Sequence, residues 1–188
     1  MAKRCILILG GARSGKSRFA QEVASRLGER VLFVATAEAL DEEMRQRIEE
    51  HKKARSSSWR TIEAPFGVGR GIREQSGDAQ VVVLDCLTLL VSNVIGQCGG
   101  DPDRIDTKLV DEKLSLEVSG LAECIEDTAA SFVLVSNEVG MGLVPPNRLG
   151  RIYQDSLGKV NQELAWRADT VYLMVAGIPM MVKGLQGL

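Results

Sequence analysis

A glycine-rich loop that follows a short apolar run is the feature that most constrains the fold of this 188-residue chain. Residues 5–9 lead directly into the segment GGARSGKS, where Gly10, Gly15, Lys16 and Ser17 match the pattern G-x-x-x-x-G-K-[ST]. Such glycines let backbone N–H groups converge on phosphate oxygens, the lysine adds a positive charge, and the serine hydroxyl can enter a Mg²⁺ shell. The segment therefore predicts a nucleotide phosphate site, and an ordinary turn between a strand and a helix is the simpler alternative.

Apolar runs typical of buried strands alternate with amphipathic segments along the rest of the chain. We expect strands over residues 5–9, 31–35, 81–84, 132–135 and 171–175, and helices over residues 16–27, 41–55, 106–129 and 149–167. A turn at Gly177–Pro179 precedes a predicted antiparallel edge strand over 180–183, and residues 56–77 and 96–103 resemble loops. Continuous apolar strands separated by helices predict an α/β fold with a mostly parallel sheet covered on both faces.

Length, charge and cysteine usage limit the classes of protein to consider. The length suits a single catalytic domain over residues 1–188. A net charge of −2 and a pI of about 5.6 do not favour a nucleic-acid surface. The apolar runs are far shorter than the ~20 residues that span a bilayer, and no secretion signal is recognisable. The scattered cysteines Cys5, Cys86, Cys98 and Cys124 are expected to be reduced, which favours a cytoplasmic protein. One histidine and no C-x-x-C pair argue against structural zinc.

Polar residues at the ends of the predicted strands form the first candidate site. Ligands of open parallel sheets bind at the carboxyl ends of the strands, which groups the loop with Thr36, Asp85 and Asn137-Glu138. Phosphate-loop proteins often place a carboxylate that organises Mg²⁺ where Asp85 lies, although the aspartate could simply cap the next turn. We therefore expect Ser17 and Asp85 to hold Mg²⁺. The glycine- and proline-rich segment 139–146 is either a site loop or an ordinary connection.

His51 is the single histidine and the second candidate. It lies near the end of the predicted helix 41–55, where an apolar stripe gives way to a basic face. A neutral imidazole can attack phosphorus and hold a nucleotidyl group, while Lys52, Lys53 and Arg55 can balance phosphate charge. Spacing alone favours the alternative, a histidine that satisfies carbonyl groups at the helix end.

Taken together, these segments resemble the bifunctional adenosylcobinamide kinase / adenosylcobinamide-phosphate guanylyltransferase family of cobalamin biosynthesis. The most specific matches are His-Lys-x-x-Arg-x-x-x-Trp-Arg-Thr, beginning at His51, and Asn-Glu-Val-Gly-Met-Gly, beginning at Asn137. The resemblance covers nearly the whole chain; its other matching segments are residues 10–17, 35–37, 41–44, 47–48, 63, 84–88, 135–136 and 146–149, with 160–162.

The resemblance implies two reactions on a RecA-like phosphate-loop NTPase fold, and a homotrimer. Adenosylcobinamide is phosphorylated on its aminopropanol hydroxyl by ATP or GTP. GMP then passes from GTP to a histidine, with release of pyrophosphate, and from there to adenosylcobinamide phosphate, which gives adenosylcobinamide-GDP. His51 falls on the nucleotidylated histidine, and Lys16 serves both reactions. The implied nucleotide contacts are Gly10, Gly11, Ala12, Arg13, Ser14, Gly15, Lys16, Ser17, Ala35, Thr36, Ala37, Lys52, Lys53, Ala54, Arg55, Glu63 and Asp85.

Two other function classes use the same loop. A simple small-molecule or nucleotide kinase needs the phosphate loop but not His51, so the absence of a covalent nucleotide would favour it. A nucleotide-dependent switch or RecA-like binding protein would bind nucleotide without turnover and would have a macromolecular partner. The GTPase motif N-K-x-D is missing, and the acidic pI argues against DNA.

Overall fold

A computed structural model describes residues 2–38, 42–53, 55–99 and 104–184. Ala54 and the expected helix start at Asp41 lie outside these residues, as do residues 100–103 of the predicted loop 96–103. Within the second helix, the described part also leaves out the side chains of Glu43, Met44, Arg47, Glu50, His51 and Lys53.

Strands and helices alternate along the described chain. In order they are β1 (Cys5–Gly10), α1 (Lys16–Leu27), β2 (Val31–Ala35), α2 (Glu42–Lys53), β3 (Arg60–Glu63), α3 (Val68–Gln75), β4 (Val81–Asp85), α4 (Leu87–Gly96), α5 (Thr107–Asp127), β5 (Ser131–Val135), α6 (Arg148–Arg167), β6 (Thr170–Val175) and β7 (Ile178–Lys183).

The strands of the described residues form one sheet in the order β3-β2-β4-β5-β1-β6-β7. Neighbours from β3 to β6 run parallel, and β7 pairs antiparallel with β6. The predicted mostly parallel sheet with an antiparallel C-terminal edge is thus confirmed. Its central strands, such as VVVLD and SFVLV, are almost continuously buried because helices cover both faces.

Alternate residues of each strand pack into two separate cores. On one face, Ile6 and Ile8 of β1 pack with Ala20, Val23 and Ala24 of α1. On the other face, residues of β1, β4 and β5 pack against α3, α4, α5 and α6. The strand period of two therefore distributes one apolar run between two helical layers, as the sequence predicts.

The prediction of a loop over residues 56–77 is wrong, because this segment contains β3 and α3. The edge strand β3 buries only Ile62, so it lacks the continuous apolar run that marks the central strands. The helix α3 is eight residues long and contains Gly69 and Gly71, which are poor helix formers. Gly69 has a packing reason: a Cβ atom there would collide with the carbonyl group of Gly120 in α5.

Two further elements depart from the sequence expectations. The helix α4 was not predicted, because its sequence LTLLVSNVIG is apolar on nearly all sides and lacks a helical stripe. β7 begins at Ile178, two residues before the predicted start at residue 180. The turn consists of Ala176 and Gly177, which both have positive φ, as in a type I′ hairpin. Within the part of the chain that the structure describes, no helix is long and apolar enough to cross a membrane.

The contact between α3 and α5 gives a test of the fold. Replacing Gly69 with Ala should lower the free energy of unfolding by about 2 kcal/mol, because the added methyl group meets the Gly120 backbone. The matched variant Gly71→Ala places its methyl group 3.7 Å from the Ala64 Cβ, an ordinary contact. It should leave the stability unchanged or raise it by up to about 1 kcal/mol. Urea unfolding measures both, and equal losses in the two variants would contradict this packing.

Candidate active site

The phosphate loop connects β1 to α1 and depends on two glycines. Gly10 has a φ of 154°, and a Cβ atom there would lie 2.7 Å from both the Met174 carbonyl oxygen and the Ser14 Oγ. Gly15 has a φ of 94° and is the residue before α1. Both values are in the range that residues with a side chain rarely adopt. The glycines of the motif are therefore required by the backbone path itself.

Hydrogen bonds fix the loop from inside and from the neighbouring hairpin. The Ser14 amide donates to the Gly11 carbonyl (3.3 Å), and the Gly177 amide of the β6–β7 turn donates to the Ser14 carbonyl (3.0 Å). Gly11, Ala12 and Arg13 stay exposed. The Ser14 hydroxyl is buried and has no hydrogen-bond partner among the described residues. The loop is thus held in shape from one side and open on the other.

Lys16 is a buried cation in this loop. Its side chain is 9% exposed, and Nζ donates to the Gly11 carbonyl at 2.7 Å. Burial lowers the pKa of Lys16, and the nearby Cys86 and Asp85 work against that shift. A partly desolvated ammonium group interacts more strongly with an anion than an exposed one does. Lys16 can therefore exchange its carbonyl partner for a phosphate oxygen.

Three predicted site residues form one row across neighbouring strands. Ala35 of β2 is in register with Glu63 of β3 on one side and with Asp85 of β4 on the other. The row lies at the carboxyl edge, where the phosphate loop leaves β1. Asp85 also contributes to the electrostatic surroundings of Lys16 and Arg55. The structure thus brings Ala35, Glu63, Asp85 and the loop to the same edge of the sheet.

Thr36 binds the ends of β2 and β4 together. Its hydroxyl accepts from the Cys86 amide (3.0 Å) and donates to the Cys86 carbonyl (2.7 Å). Its own amide donates to the Asp85 carbonyl at 3.4 Å, and its carbonyl accepts from the Asn93 side chain at 2.8 Å. Thr36 is fully buried. The hydroxyl and amide of Thr36 thus hold the residues on either side of the Asp85–Cys86 peptide, and its carbonyl joins them to α4.

The C-terminal end of α2 is tied to β2 and β3. The guanidinium group of Arg55 lies 3.9 Å from the Phe33 ring centroid and donates to the Thr61 hydroxyl at 3.3 Å. Lys52 forms an ion pair with Glu63 at 3.6 Å. His51 precedes Lys52 in α2, so the backbone of the single histidine belongs to the helix end that these contacts hold. The side chains of His51 and Lys53, and all of Ala54, lie outside the described structure.

Two supporting residues were not singled out from their chemistry in the sequence. Thr88 accepts from the Asn137 amide at 2.8 Å, and Asn161 donates from its side chain to the Asn137 carbonyl at 3.0 Å. Both supports are buried on mainly apolar helix faces. Apart from their place in segments that match the family, a polar residue on such a face is the signal that could have indicated them. Their contacts fix the segment after β5, whose Glu138 amide also donates to the Gly10 carbonyl at 3.0 Å.

The chain is similar to known proteins over nearly its whole length. Residues 6–182 match the model of the family described as cobinamide kinase / cobinamide phosphate guanyltransferase. The chain is 41% identical over 180 residues to bifunctional adenosylcobalamin biosynthesis protein CobU of Escherichia coli K12. The aligned region covers 95% of this chain and 99% of the relative. The same values hold for the CobU protein of Salmonella typhimurium. The CobP protein of Pseudomonas aeruginosa is 42% identical over 178 residues, or 95% of this chain and 96% of the relative.

The Thr36 contacts predict a specific loss of stability. Thr36→Val removes the hydroxyl that pairs with the buried Cys86 amide and should lower the free energy of unfolding by about 2 kcal/mol. Thr36→Ser keeps the hydroxyl and should lose much less. Urea unfolding of the two variants measures the difference, and equal stabilities would show that the hydroxyl does not hold the strand ends together.

Proposed function

The chain belongs to the cobinamide kinase / cobinamide phosphate guanyltransferase family, and we propose that both reactions take place at the carboxyl edge of its sheet. In the first, ATP or GTP phosphorylates the aminopropanol hydroxyl of adenosylcobinamide. In the second, GTP supplies GMP to the phosphorylated product, which gives adenosylcobinamide-GDP and pyrophosphate. The observation that carries this proposal is the row formed by Glu63, Ala35 and Asp85 beside the phosphate loop, with the basic end of α2 fixed to it.

The phosphate loop serves as the common holder of the nucleotide. Its exposed stretch from Gly11 to Arg13 and the N-terminus of α1 offer backbone N–H groups to phosphate oxygens. Lys16 leaves the Gly11 carbonyl and places its charge on the phosphates. Phosphoryl transfer needs mainly positioning and charge stabilisation, so the same loop can hold the triphosphate in either reaction.

In the kinase reaction the acceptor hydroxyl attacks the γ-phosphorus of the nucleotide. The bond between that phosphorus and the β,γ-bridging oxygen breaks, and the nucleoside diphosphate leaves. Lys16 and the loop amides stabilise the charge that develops on the phosphate oxygens. The hydroxyl proton passes to solvent.

In the guanylyl transfer a ring nitrogen of neutral His51 attacks the α-phosphorus of GTP. The bond to pyrophosphate breaks, and Lys16 holds the leaving group. A phosphate oxygen of adenosylcobinamide phosphate then attacks the same phosphorus, and the N–P bond breaks to free the histidine. The covalent intermediate replaces one transfer between two bulky partners by two simpler steps. The attacking nitrogen needs a free lone pair, so the imidazole must be neutral when it attacks.

The oxygen donors near the loop fit Mg²⁺. Ser17 offers a hydroxyl and Asp85 a half-buried carboxylate, both of the hard oxygen type that Mg²⁺ prefers. Among the residues that the structure describes, no cluster of three or more histidine, cysteine, aspartate or glutamate side chains could form a complete cage. Mg²⁺ usually takes one or two carboxylates and completes its shell with phosphates and water. When bound by Ser17 and Asp85, the ion would neutralise charge on the phosphates.

The remaining nucleotide positions divide into contacts and supports. Lys52 lies in the last turn of α2 and pairs with Glu63 of β3, and Arg55 follows α2 and donates to the Thr61 hydroxyl, so all three lie next to the row. Thr36 acts instead as a positioning residue, because its polar groups already bind Cys86, Asp85 and Asn93. The contribution of Thr36 is therefore to fix the place of Asp85.

Three statements about the whole protein belong to the same proposal. Residues 1–188 act as one catalytic domain, which is supported by the single sheet of the described residues. The protein works in the cytoplasm, which fits its nucleotide substrates and its free cysteines. Burial raises the pKa of Cys5 to about 12 and of Cys86 to about 11, so these thiols stay protonated. By resemblance to the family, it assembles as a homotrimer.

Labelling with GTP tests the role of His51. GTP labelled at the α-phosphorus should mark the wild-type protein in an acid-labile, base-stable form, as a phosphoramidate requires. His51→Asn should abolish the label and retain phosphorylation of adenosylcobinamide, which serves as the control for folding. Label that persists in this variant would exclude His51 as the nucleophile. If the wild-type protein phosphorylates adenosylcobinamide but takes up no label, the result would favour a simple kinase without a covalent intermediate.

Removal of the loop lysine tests whether one loop serves both reactions. Lys16→Ala should reduce the rates of phosphorylation and of self-guanylylation, each by about 100-fold or more, because both lose the same phosphate contact. Lys3→Ala is the matched control, since Lys3 is exposed and donates to the Glu126 carbonyl at the opposite edge of the sheet. Full kinase activity of Lys16→Ala would contradict a shared loop.

A further inference from the structure

A cavity of about 540 Å³ lies between α4 and α6, beside the site described above. Its apolar lining comes from Ile95, Ile105 and Leu149, and its polar lining from Ser92, Asn147 and Tyr153. Among the residues that the structure describes, none with a charged side chain lines it. A mainly apolar cavity with a few polar groups is typical of a site for a neutral organic ligand.

The cavity is connected to the phosphate site through α4. Ser92 lines the cavity, and the next residue of α4, Asn93, donates to the Thr36 carbonyl at 2.8 Å. Tyr153 lies in the same lining; burial raises its pKa to about 12, and Cys86 adds to the rise. Cys86 follows Asp85 directly and contributes to the surroundings of Lys16. A ligand in the cavity can therefore extend toward the phosphates without crossing the sheet.

A fixed apolar loop continues the cavity surface outward. Residues 139–146 precede α6, and Met141, Leu143 and Val144 are 78%, 96% and 74% exposed. The loop is held at both ends by α6: Gln154 donates to the Val139 carbonyl (2.8 Å), and Arg151 donates to the carbonyls of Pro145 and Pro146. Large apolar side chains displayed together on a fixed loop indicate a binding surface.

We propose that the cavity and the apolar loop 139–146 form the binding site for the corrinoid acceptor. A corrinoid macrocycle is broad, carries methyl groups and neutral amide arms, and ends in the hydroxyl that accepts phosphate. Its apolar ring suits Met141, Leu143 and Val144, and its amides suit the uncharged polar lining of the cavity. The ring is larger than the cavity, so most of it rests on the loop while one edge enters. This inference rests on the proposed function, because it takes the corrinoid as the substrate.

One variant fills the cavity without disturbing the backbone. Gly96 lines the cavity, and a Cβ atom there would meet nothing within 4 Å. Gly96→Leu should raise the dissociation constant for adenosylcobinamide at least about tenfold, because the leucine occupies the space of the ligand. Gly158→Leu is the matched control: its Cβ also meets open space, but Gly158 lies outside the cavity lining. It should change the constant by less than about twofold.

A second variant tests the loop at a position with no role in folding. Leu143→Ser should raise the dissociation constant about fivefold through lost apolar contact, whereas Leu116→Ser, on the exposed face of α5, should not change it. Equilibrium dialysis of the full-length protein against adenosylcobinamide, followed by corrin absorbance, measures all four variants. Self-guanylylation with labelled GTP in the absence of corrinoid should be unchanged in each.

The outcomes separate this site from the proposed function. Wild-type affinity in both Gly96→Leu and Leu143→Ser overturns the corrinoid site. So does a parallel loss of self-guanylylation, since the variants would then act on the nucleotide site. Light scattering measures the oligomeric state of Leu143→Ser. A changed oligomeric state with unchanged corrinoid affinity would assign the loop to contact with a second copy of the chain, which would also overturn the corrinoid site. A wild-type protein that neither labels itself nor phosphorylates adenosylcobinamide would instead contradict the proposed function.

Discussion

The parallel direction of the strands from β3 to β6 is the constraint on which the rest of the structure depends. Because helices bury both faces of the central strands β1, β2, β4 and β5, polar side chains are accommodated mainly at the ends of these strands. Parallel strands end at the same edge, so the phosphate loop, Ala35, Glu63 and Asp85 meet there. The two-layered core thus determines where chemistry is possible before any particular residue is chosen.

Local contacts convert that edge into a rigid site. The positive φ values of Gly10 and Gly15 and the bond from the Gly177 amide hold the phosphate loop, and Thr36 joins the ends of β2 and β4. Lys16 sits inside this framework as a partly desolvated cation. A preformed positive site needs little rearrangement when a phosphate group develops charge, which suits phosphoryl and nucleotidyl transfer alike.

The central sheet and the phosphate loop could be predicted from the sequence. The remaining elements and the supporting residues could not, for physical reasons. The central strands are recognisable because they are apolar throughout, and the phosphate loop because its glycines have no substitute. The elements β3, α3 and α4 could not be recognised from the sequence: β3 buries one side chain, α3 is eight residues long and contains two glycines, and α4 is apolar on nearly all sides. Thr88 and Asn161 bind the backbone of Asn137, which is distant from both in sequence. Their pairing with Asn137 therefore appears only in the folded chain.

The central claim is that both reactions use one nucleotide site at this edge. The most direct measurement is the rate of self-guanylylation with labelled GTP in the presence of a nonhydrolysable ATP analogue, compared with inhibition of the kinase reaction by the same analogue. A shared phosphate loop predicts competitive inhibition with respect to GTP and the same inhibition constant in both reactions. Noncompetitive inhibition, or self-guanylylation unaffected at concentrations that stop the kinase, would contradict a single site.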